Sequence, residues 1–417
     1  MHAAELLGAI LAESLPADKQ MERYFRAHPK LGQRERGQLA ETVYACLRRR
    51  LYLEYLLERD QAPAADLVAA QLLSADGVST RALRELGWCA EPGGDARAER
   101  VAQRAREPLD GLPPAVRTNL PDWLLDPLLD ELGDAETLQL AEALNRPAPL
   151  DLRANTLKCT REALAARLAG EGYATEPTPY SPLGLRRRER APLFKTGSFR
   201  DGWFEVQDEG SQLLALLVEP RRREMVVDFC AGAGGKTLAL GAAMANSGTL
   251  YAFDVSASRL ERLKPRVARA GLDNVRAVAI AHERDDRVRR LHGKIDRVLV
   301  DAPCSGSGTL RRSPDLKWRR PNLDALSAQQ ARILAAAASL VKPGGRLVYA
   351  TCSLLHAEND AVVETFLADH PAFTVLPAGD ILARRDVALT FTDSALRLYP
   401  HRHGTDGFYA MVMERGK

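Results

Sequence analysis

Apolar residues recur with a helical period over the first third of the chain. Their spacing of three and four positions places them on one face of successive helices. We therefore expect an all-helical domain over residues 1–140. Near residue 145 the period ends, because two prolines interrupt it. Examples of the periodic positions are Leu39, Val43, Leu47 and Leu51.

Residues 141–205 mix short strand and helix signals. The patterns at residues 150–153 and 184–188 are typical of strands, and residues 161–170 have a helical pattern. This order predicts a small α+β domain.

Short apolar strands alternate with helical stretches over residues 206–417. Such alternation is typical of an α/β fold with a parallel, doubly wound sheet that helices cover on both faces. Ser327 and Gln330 match a capping box, which predicts that the last long helix begins at Ser327. The predicted strands are residues 225–229, 249–253, 275–280, 297–301 and 346–351, and the predicted helices include residues 237–245 and 327–341.

The bulk composition agrees with two or three ordinary domains. The chain has 417 residues, which exceeds the size that one hydrophobic core usually organises. Hydrophobic residues make up 46%, and no apolar run approaches the ~20 residues that span a bilayer. The first residues also lack the basic segment of a secretion signal, so we expect a cytoplasmic protein.

Arginines gather in short clusters although the formal net charge is only +3. Any one cluster is ordinarily a solvated surface, but four of them together favour a polyanionic partner such as nucleic acid. The clusters are residues 48–50, residues 186–188 with Arg190, residues 221–223, and Arg311, Arg312, Lys317, Arg319 and Arg320.

The six cysteines include no C-x-x-C pair, which argues against both a disulfide framework and a zinc site. His401 and His403 are close in sequence but have no third ligand at the usual spacing. We therefore expect no bound metal.

A glycine-rich turn follows the predicted strand at residues 225–229. Its glycines allow a ligand to approach the backbone, and the next helix offers free N–H groups to a carboxylate or phosphate. A P-loop would need a glycine five positions before Gly235, where this chain has Cys230, so ATP binding is disfavoured. The turn comprises Cys230, Ala231, Gly232, Ala233, Gly234 and Gly235, and Lys236 follows it.

Asp254 ends the next predicted strand, 22 residues after Gly232. An acidic side chain about 20 residues after a glycine turn can accept both hydroxyl protons of a ribose. A lone aspartate at a strand end is often only a surface residue. Combined with the turn, however, Asp254 indicates a nucleoside cofactor.

Cys304 and Cys352 each come shortly after a predicted strand, in Asp-Ala-Pro-Cys and Ala-Thr-Cys-Ser. Ligands of open α/β sheets bind outside the carboxyl ends of the strands, so we expect both thiols to face one crevice beside the glycine turn. Cysteines more often pack as small buried hydrophobic residues, and we accept that interpretation for the other four. These are Cys46, Cys89, Cys159 and Cys230.

Together these motifs resemble the RsmB-type branch of the RNA (cytosine-5)-methyltransferases, and the similarity covers nearly the whole chain. Residues 31–53 resemble the NusB-like RNA-binding domain of this branch, and residues 153–158 resemble its small RRM-like platform. The other shared motifs are residues 207–212, 230–237, 301–306, 314–318, 342–345, 350–353 and 404–408.

The resemblance implies a class I, Rossmann-like methyltransferase domain at residues 206–417, with S-adenosylmethionine as its cofactor. A NusB-like domain at residues 1–140 and an RRM-like domain at residues 141–205 would precede it. The cofactor-binding residues that it implies are Cys230, Ala231, Gly232, Ala233, Gly234, Gly235, Lys236, Asp254 and Asp301.

The implied chemistry is covalent, because carbon 5 of cytosine is a poor nucleophile until a thiolate adds at carbon 6. Spacing does not decide which cysteine attacks. The resemblance assigns the attack to Cys352 and assistance in release to Cys304. It also assigns Asp301 to the amino edge of cytosine, and Lys236 to the base or to the cofactor carboxylate.

The resemblance further implies 16S ribosomal RNA as the partner, a monomeric enzyme, and no role for DNA or membranes. A tRNA cytosine-5 methyltransferase is one alternative. A non-catalytic RNA-binding assembly factor is another, although it would have no need of paired thiols in a cleft. A DNA cytosine methyltransferase would attack with the Pro-Cys thiol and would lack this N-terminal domain.

Two positions depart from the family pattern. The turn at residues 233–235 lacks the proline that the family usually has. After the third strand the family usually places an aspartate that contacts adenine, whereas residues 280–284 read Ile-Ala-His-Glu-Arg. His282 and Glu283 are the candidates for that contact.

Overall fold

The computed structural model describes residues 1–13, 15–85, 87–88, 94–189, 191–391 and 393–417. Cys89, which is predicted to be buried, and Arg190, which is predicted to belong to an arginine cluster, lie outside these residues. The chain forms two compact units. One consists of Met1–Pro147 with Thr309–Pro321, and the other of Ala148–Gly308 with Asn322–Lys417. The domain boundaries expected near residues 140 and 205 stay predictions.

The first unit is helical in its described residues, as the apolar period predicts. Leu47, Leu53 and Leu56 of its longest helix are buried in one apolar cluster. Its helices are α1 (His2–Ala12), α2 (Ala17–Ala27), α3 (Gln33–Leu57), α4 (Ala64–Ser74), α5 (Thr80–Glu85), α6 (Gly94–Arg104), α7 (Pro114–Thr118) and α8 (Asp122–Leu144), with 3-10 turns at Leu109–Gly111 and Pro314–Trp318.

The segment Thr309–Pro321 belongs to this helical unit although it lies far along the chain. The indole N–H of Trp318 donates to the carbonyl of Leu47 at 2.9 Å. Lys317 is 0% exposed. Its ammonium donates to two backbone carbonyls and to the side chain of Asn145. The segment therefore completes the core of the helical unit.

The second unit begins with a small antiparallel sheet. Its elements are β1 (Leu150–Ala154), α9 (Arg161–Gly170), β2 (Glu176–Pro177), β3 (Gly184–Arg187), α10 (Gly197–Arg200) and β4 (Phe204–Val206), with a 3-10 turn at Leu193–Lys195. The strand order is β2-β3-β1-β4. The predicted β1, α9 and β3 are confirmed. Strands β2 and β4 have only two and three residues, too few to produce an apolar period.

A larger sheet makes up the rest of the second unit. Its elements are α11 (Glu209–Val218), β5 (Met225–Asp228), α12 (Gly235–Ala243), β6 (Thr249–Asp254), α13 (Ala257–Ala270), β7 (Val275–Ala279), α14 (Asp286–Arg289), β8 (Ile295–Asp301), α15 (Leu323–Ala338), β9 (Val341–Thr351), α16 (Asp360–Asp369), β10 (Phe373–Leu376), α17 (Ala378–Ala383), β11 (Leu396–Leu398), α18 (Pro400–His403) and β12 (Phe408–Arg415), with 3-10 turns at Ser307–Thr309 and His356–Glu358.

The strand order of this sheet is β10-β12-β9-β8-β5-β6-β7, and β11 pairs with β12. The five strands from β9 to β7 are parallel. Strands β10, β11 and β12 are antiparallel additions at one edge. The chain leaves β5 toward one edge and later returns to β8 on its other side. This change of direction creates a crevice at the carboxyl ends of β5 and β8, where ligands of such sheets bind.

Both faces of the sheet are covered. Because side chains alternate along a strand, neighbouring residues belong to opposite faces. Val226 and Leu299 lie in one apolar cluster, whereas Val227 and Val298 lie in the other. The predicted α/β fold with a doubly wound sheet is therefore confirmed.

The predicted start of the long helix at Ser327 is wrong. Helix α15 begins four residues earlier, where the side chain of Asn322 accepts the N–H of Ala325 at 3.0 Å. Ser327 instead donates its hydroxyl to a backbone carbonyl outside the helix. Gln330 likewise turns its amide toward Pro303. The capping-box pattern was therefore produced by two residues with tertiary partners.

Candidate active site

The glycine turn between β5 and α12 depends on two left-handed residues. Gly232 has φ = 56° and Gly234 has φ = 88°. A Cβ at Gly234 would lie 2.0 Å from Cδ1 of Leu263 on helix α13, so only glycine fits there. The turn thus keeps α13 close to the start of α12.

Asp254 connects this turn to the end of β6. Its carboxylate accepts the N–H of Gly232 at 2.8 Å and the N–H of Ser256 at 2.7 Å. The residue is 5% exposed. An ionised carboxylate has about four acceptor positions, so Asp254 retains the capacity to bind further hydroxyl groups.

A cavity of about 590 Å³ opens beside the turn and Asp254. This volume is in the range of small-molecule sites. Eight of the nine predicted cofactor-binding residues line it: Cys230, Ala231, Gly232, Ala233, Gly235, Lys236, Asp254 and Asp301. Gly234 is the exception, because it packs against Leu263. Its predicted contact with the cofactor becomes an indirect one, through the shape of the turn.

The residues around this cavity fit the chemistry of a nucleoside with an amino-acid tail. Asp254 can accept ribose hydroxyl protons, and the backbone of the turn can approach a carboxylate. Val255 and Ile280 also line the cavity and offer apolar surface to a base. Val255 is 67% exposed, so its side chain is accessible from the cavity.

Glu283 is one of the two candidates for the contact with adenine, and that role stays a prediction. It lines the cavity. His282, the other candidate, instead accepts the N–H of Arg284 on its Nδ1 at 3.1 Å. Sequence reasoning named this pair but could not choose between them, because two adjacent residues in a loop point in different directions.

Lys236 and Asp301 form an ion pair, with Nζ and Oδ2 2.7 Å apart. Burial alone would lower the pKa of Lys236, but the charge and hydrogen bond of Asp301 outweigh it and the pKa is raised. Lys236 is therefore a cation in the site, and it directs one carboxylate oxygen of Asp301.

Asp228 lies under the turn at the end of β5. Burial raises its pKa to about 7, although the hydroxyl of Thr237 donates to its Oδ2 at 2.6 Å. The acids Asp301 and Asp254 also raise this pKa, whereas Lys236 lowers it. No motif of the sequence distinguishes this buried acid from its neighbours.

Cys304 and Cys352 lie side by side. Their sulfur atoms are 3.3 Å apart, and both residues are partly exposed. The N–H of Gly308 donates to the carbonyl of Cys352 at 2.9 Å, which joins the two turns. The pKa of Cys304 is raised well above its ordinary value, first by the hydrogen bond to Cys352 and then by burial and by the negative charges of Cys352 and Glu358. Cys304 therefore carries its proton as a thiol, and either sulfur can donate in the contact between the two cysteines.

Glu358 is a site residue that sequence reasoning missed. It is 0% exposed. Its carboxylate accepts the hydroxyls of Ser305 and Ser353, each at 2.5 Å. A glutamate just before a helix ordinarily stabilises the helix N-terminus, so the sequence contained no signal for this role.

The other described cysteines lie away from this pair. Cys46 is buried in the helical unit, as predicted. Cys159 is partly buried, with its sulfur 3.4 Å from the carbonyl of Trp203. Cys230 packs against the core but also lines the cavity. None of the described helices is long and apolar enough to cross a bilayer.

One group of side chains among the described residues could approach a common metal ion: His2, Glu5 and His28. The hydroxyl of Tyr24 lies between two of them, 2.7 Å from Nδ1 of His2 and donating to Glu5 at 2.6 Å. Hydrogen bonding accounts for this cluster, and the expectation of no metal stays a prediction.

Comparisons with known proteins point to one family. The family described as 16S rRNA methyltransferase RsmB/F matches residues 215–414, and the RsmF/B-like ferredoxin-like domain matches residues 120–193. The ribosomal RNA small subunit methyltransferase B of Vibrio cholerae is 30% identical over 435 residues, which cover 98% of this chain and 94% of the relative. A protein of Synechocystis sp. named "Probable ribosomal RNA small subunit methyltransferase B" is 32% identical over 430 residues, 95% of each chain.

A solved structure, that of PH0851, has the same fold over almost the whole chain. It is 27% identical, with a TM-score of 0.81, and the match covers 99% of this chain and 98% of PH0851. The resemblance found in the motifs is therefore confirmed, together with the Rossmann-like fold and S-adenosylmethionine as the cofactor of this methyltransferase family. The chain belongs to the RsmB/F family of 16S rRNA methyltransferases.

Proposed function

We propose that this chain transfers a methyl group from S-adenosylmethionine to carbon 5 of a cytosine in small-subunit ribosomal RNA. The observation that carries the proposal is the pair of thiols 3.3 Å apart, next to the strand end that supplies Asp301 to the cavity. Paired thiols suit a reaction that both forms and breaks a bond to sulfur. The names of the relatives from Vibrio cholerae and Synechocystis sp. support ribosomal RNA as the substrate.

Different residues of the cavity would hold different parts of the cofactor. Asp254 would accept the ribose hydroxyls, Glu283 would face the adenine amino group, and the turn with Lys236 would hold the carboxylate. When bound, S-adenosylmethionine supplies an electrophilic methyl group on its sulfonium.

Cys352 acts as the nucleophile in this proposal. Its thiolate adds to carbon 6 of cytosine, and the ring loses its aromaticity and becomes an enamine that is nucleophilic at carbon 5. Asp301, directed by Lys236 through their 2.7 Å ion pair, would bind the amino edge of the base during attack. After carbon 5 accepts the methyl group, a water molecule removes the proton of carbon 5. The electrons of that C–H bond restore the carbon 5–carbon 6 double bond as the carbon 6–sulfur bond breaks and Cys352 leaves as a thiolate.

Cys304 assists this last step. It is a thiol 3.3 Å from the sulfur that departs. A hydrogen bond from its S–H would stabilise the Cys352 thiolate as the bond to carbon 6 breaks. Without that donor, the methylated cytosine should stay attached to Cys352.

Replacement of each cysteine by alanine tests these two roles. Cys352→Ala should abolish methyl transfer and leave cofactor binding nearly intact, because the thiol serves only the chemistry. Cys304→Ala should accumulate a protein–RNA adduct that survives denaturing gels. The adduct should disappear in the Cys304→Ala, Cys352→Ala double variant, and Cys159→Ala is the matched control without an adduct. Normal turnover by Cys304→Ala with no adduct would refute the two-cysteine mechanism.

The substrate is tested by bisulfite sequencing of total RNA from a deletion strain. One cytosine of small-subunit ribosomal RNA should lose its resistance to bisulfite, and the wild-type gene should restore it. A lost mark in tRNA instead would reassign the substrate. An unchanged profile would refute methylation of cytosine.

A further inference from the structure

A buried carboxylate joins the two cysteine turns. Oε2 of Glu358 accepts the hydroxyls of Ser305 and Ser353, and Oε1 accepts the backbone N–H of Ser305 at 2.8 Å. Oε1 also accepts the amide of Gln330 at 3.0 Å. Each of these four partners is an uncharged donor. A buried charge stays stable without a counter-ion only when several such donors surround it.

The partners of Glu358 are placed next to the reacting sulfur atoms. Ser305 directly follows Cys304 in the chain, and Ser353 directly follows Cys352. The two serines follow the ends of neighbouring paired strands, β8 and β9, and their hydroxyls are 3.3 Å apart. One carboxylate in contact with both serines therefore limits how far the thiols can move apart.

We propose that Glu358 is a positioning residue, which holds Cys304 and Cys352 at reacting distance by binding the serine that follows each of them. The inference rests on the proposed function, in which one thiol must assist the departure of the other. Glu358 itself touches neither substrate nor cofactor in this scheme.

Two further contacts in the same place support this assignment. The hydroxyl of Tyr349, within β9, donates to the carbonyl of Glu358 at 2.6 Å. The side chain of Asn359 accepts the hydroxyl of Thr351 at 2.5 Å and donates to the carbonyl of Ser353 at 3.0 Å. The backbone of residues 358 and 359 is therefore attached to the end of β9, next to Cys352. From there the Glu358 side chain reaches across to Ser305, where it adds to a contact of 3.3 Å between the hydroxyls of Ser305 and Ser353.

The separation of the thiols can be measured without RNA. Phenylarsine oxide forms two arsenic–sulfur bonds with a pair of neighbouring thiols, whose two protons leave with the arsenic-bound oxygen as water. The wild-type protein should bind it through Cys304 and Cys352, and the Cys304→Ala variant should not. Glu358→Gln has the same shape but places an amide N–H₂ against hydroxyl donors. Its affinity for phenylarsine oxide should fall by about 10-fold or more, because small displacements strongly affect such reactions.

Glu209→Gln is the matched control. Glu209 is also 0% exposed and binds backbone N–H groups at Tyr180 and Ser181, in the same unit. This variant should keep wild-type affinity for phenylarsine oxide. An equal loss in both variants would mean general loosening of the fold and would overturn the proposal. Wild-type affinity in Glu358→Gln would overturn it as well.

A milder variant covers the case in which Glu358→Gln does not fold. Ser353→Ala removes one of the four donors, so it should weaken phenylarsine oxide binding in the same direction by a smaller factor. In turnover, both variants should lower kcat with little change in KM, and should prolong the covalent RNA adduct. If Cys304→Ala forms no RNA adduct and turns over normally, the proposed function fails, whereas the arsenical still tests the placement of the thiols in the wild-type protein.

Discussion

Asp254 performs two tasks with one carboxylate. It accepts the N–H groups of Gly232 and Ser256, and it lines the cavity beside the turn. The internal bonds fix the direction of its remaining lone pairs before a ligand arrives. A ribose bound as we propose would therefore meet an acceptor that needs no reorganisation, which favours tight binding.

Replacing Asp254 with alanine should weaken the binding of S-adenosylmethionine by about 1.5 to 3 kcal/mol, the usual value of hydrogen bonds to a charged group. Asp254→Asn should lose less, because it keeps one acceptor oxygen. Calorimetric titration measures both affinities, and the exposed Asp369→Ala serves as the control. An unchanged dissociation constant in Asp254→Ala would remove this residue from the cofactor site.

For residues next to strand ends, sequence analysis predicted correctly which side chains lie close together. Cys304 and Cys352 were expected in one crevice beside the glycine turn. Their sulfur atoms are 3.3 Å apart, but neither residue lines the cavity, so their access to that crevice stays a prediction. Glu358 was missed because its partner Ser305 lies 53 residues away, a distance that no local pattern encodes. The chemical roles of the two cysteines stay predictions, since geometry alone does not show which sulfur attacks.

At the scale of elements, the contact between the glycine turn and helix α13 determines the shape of the cavity. Gly234→Ala would place its Cβ 2.0 Å from Leu263 at a positive φ. We expect a loss of stability of about 2 to 4 kcal/mol from overpacking and left-handed strain together, with weaker cofactor binding. Urea unfolding measures the first effect, and calorimetry measures the second.

Gly293→Ala separates the two causes in that experiment. Gly293 also has a positive φ, 65°, but a Cβ there would meet nothing within 4 Å. Its loss should be about 1 to 2 kcal/mol, from backbone strain alone. In Gly234→Ala, the second substitution Leu263→Ala should restore cofactor binding in part. A Gly234→Ala protein as stable as Gly293→Ala would contradict the packing argument.

Long elements were easier to predict than short or irregular ones. The parallel strands β5, β8 and β9 lie inside the sheet and are buried over most of their length, so each produces an apolar run that the sequence displays. The antiparallel strands at the edge were not identified by their pattern. Helix α15 was misplaced because Asn322, its actual N-cap, lies among polar residues without an apolar period.

At the scale of the whole molecule, Lys317 connects stability to pH. Burial, helped by the charge of Arg48, lowers its pKa to about 7 in the folded chain. In the unfolded chain a lysine titrates near pH ~10. Between these values the unfolded chain binds more protons, so the contribution of Lys317 to stability becomes more favourable as pH rises.

The Lys317→Met variant should lack this gain. Thermal unfolding at pH 7 and pH ~9.5 measures this effect. The midpoint of the wild type minus the midpoint of the variant should be larger at pH ~9.5 than at pH 7. Lys294→Met replaces an exposed lysine and is the control. Its thermal midpoint should change with pH in the same way as that of the wild type. If the thermal midpoint of Lys317→Met changes with pH as that of the wild type does, the buried ammonium keeps its proton over this range.

The position of Lys317 and Trp318 also has a consequence for biosynthesis. A ribosome releases the helices of the first unit early, but the segment Thr309–Pro321 that completes their core emerges only after more than 300 residues have been made. At the usual rates of translation, the nascent helices wait for tens of seconds with the sites for that indole and ammonium unfilled. Chaperones that bind exposed apolar surface would thus meet this chain during synthesis, and the helical unit cannot complete its core before β8, the strand that precedes Cys304, has been made.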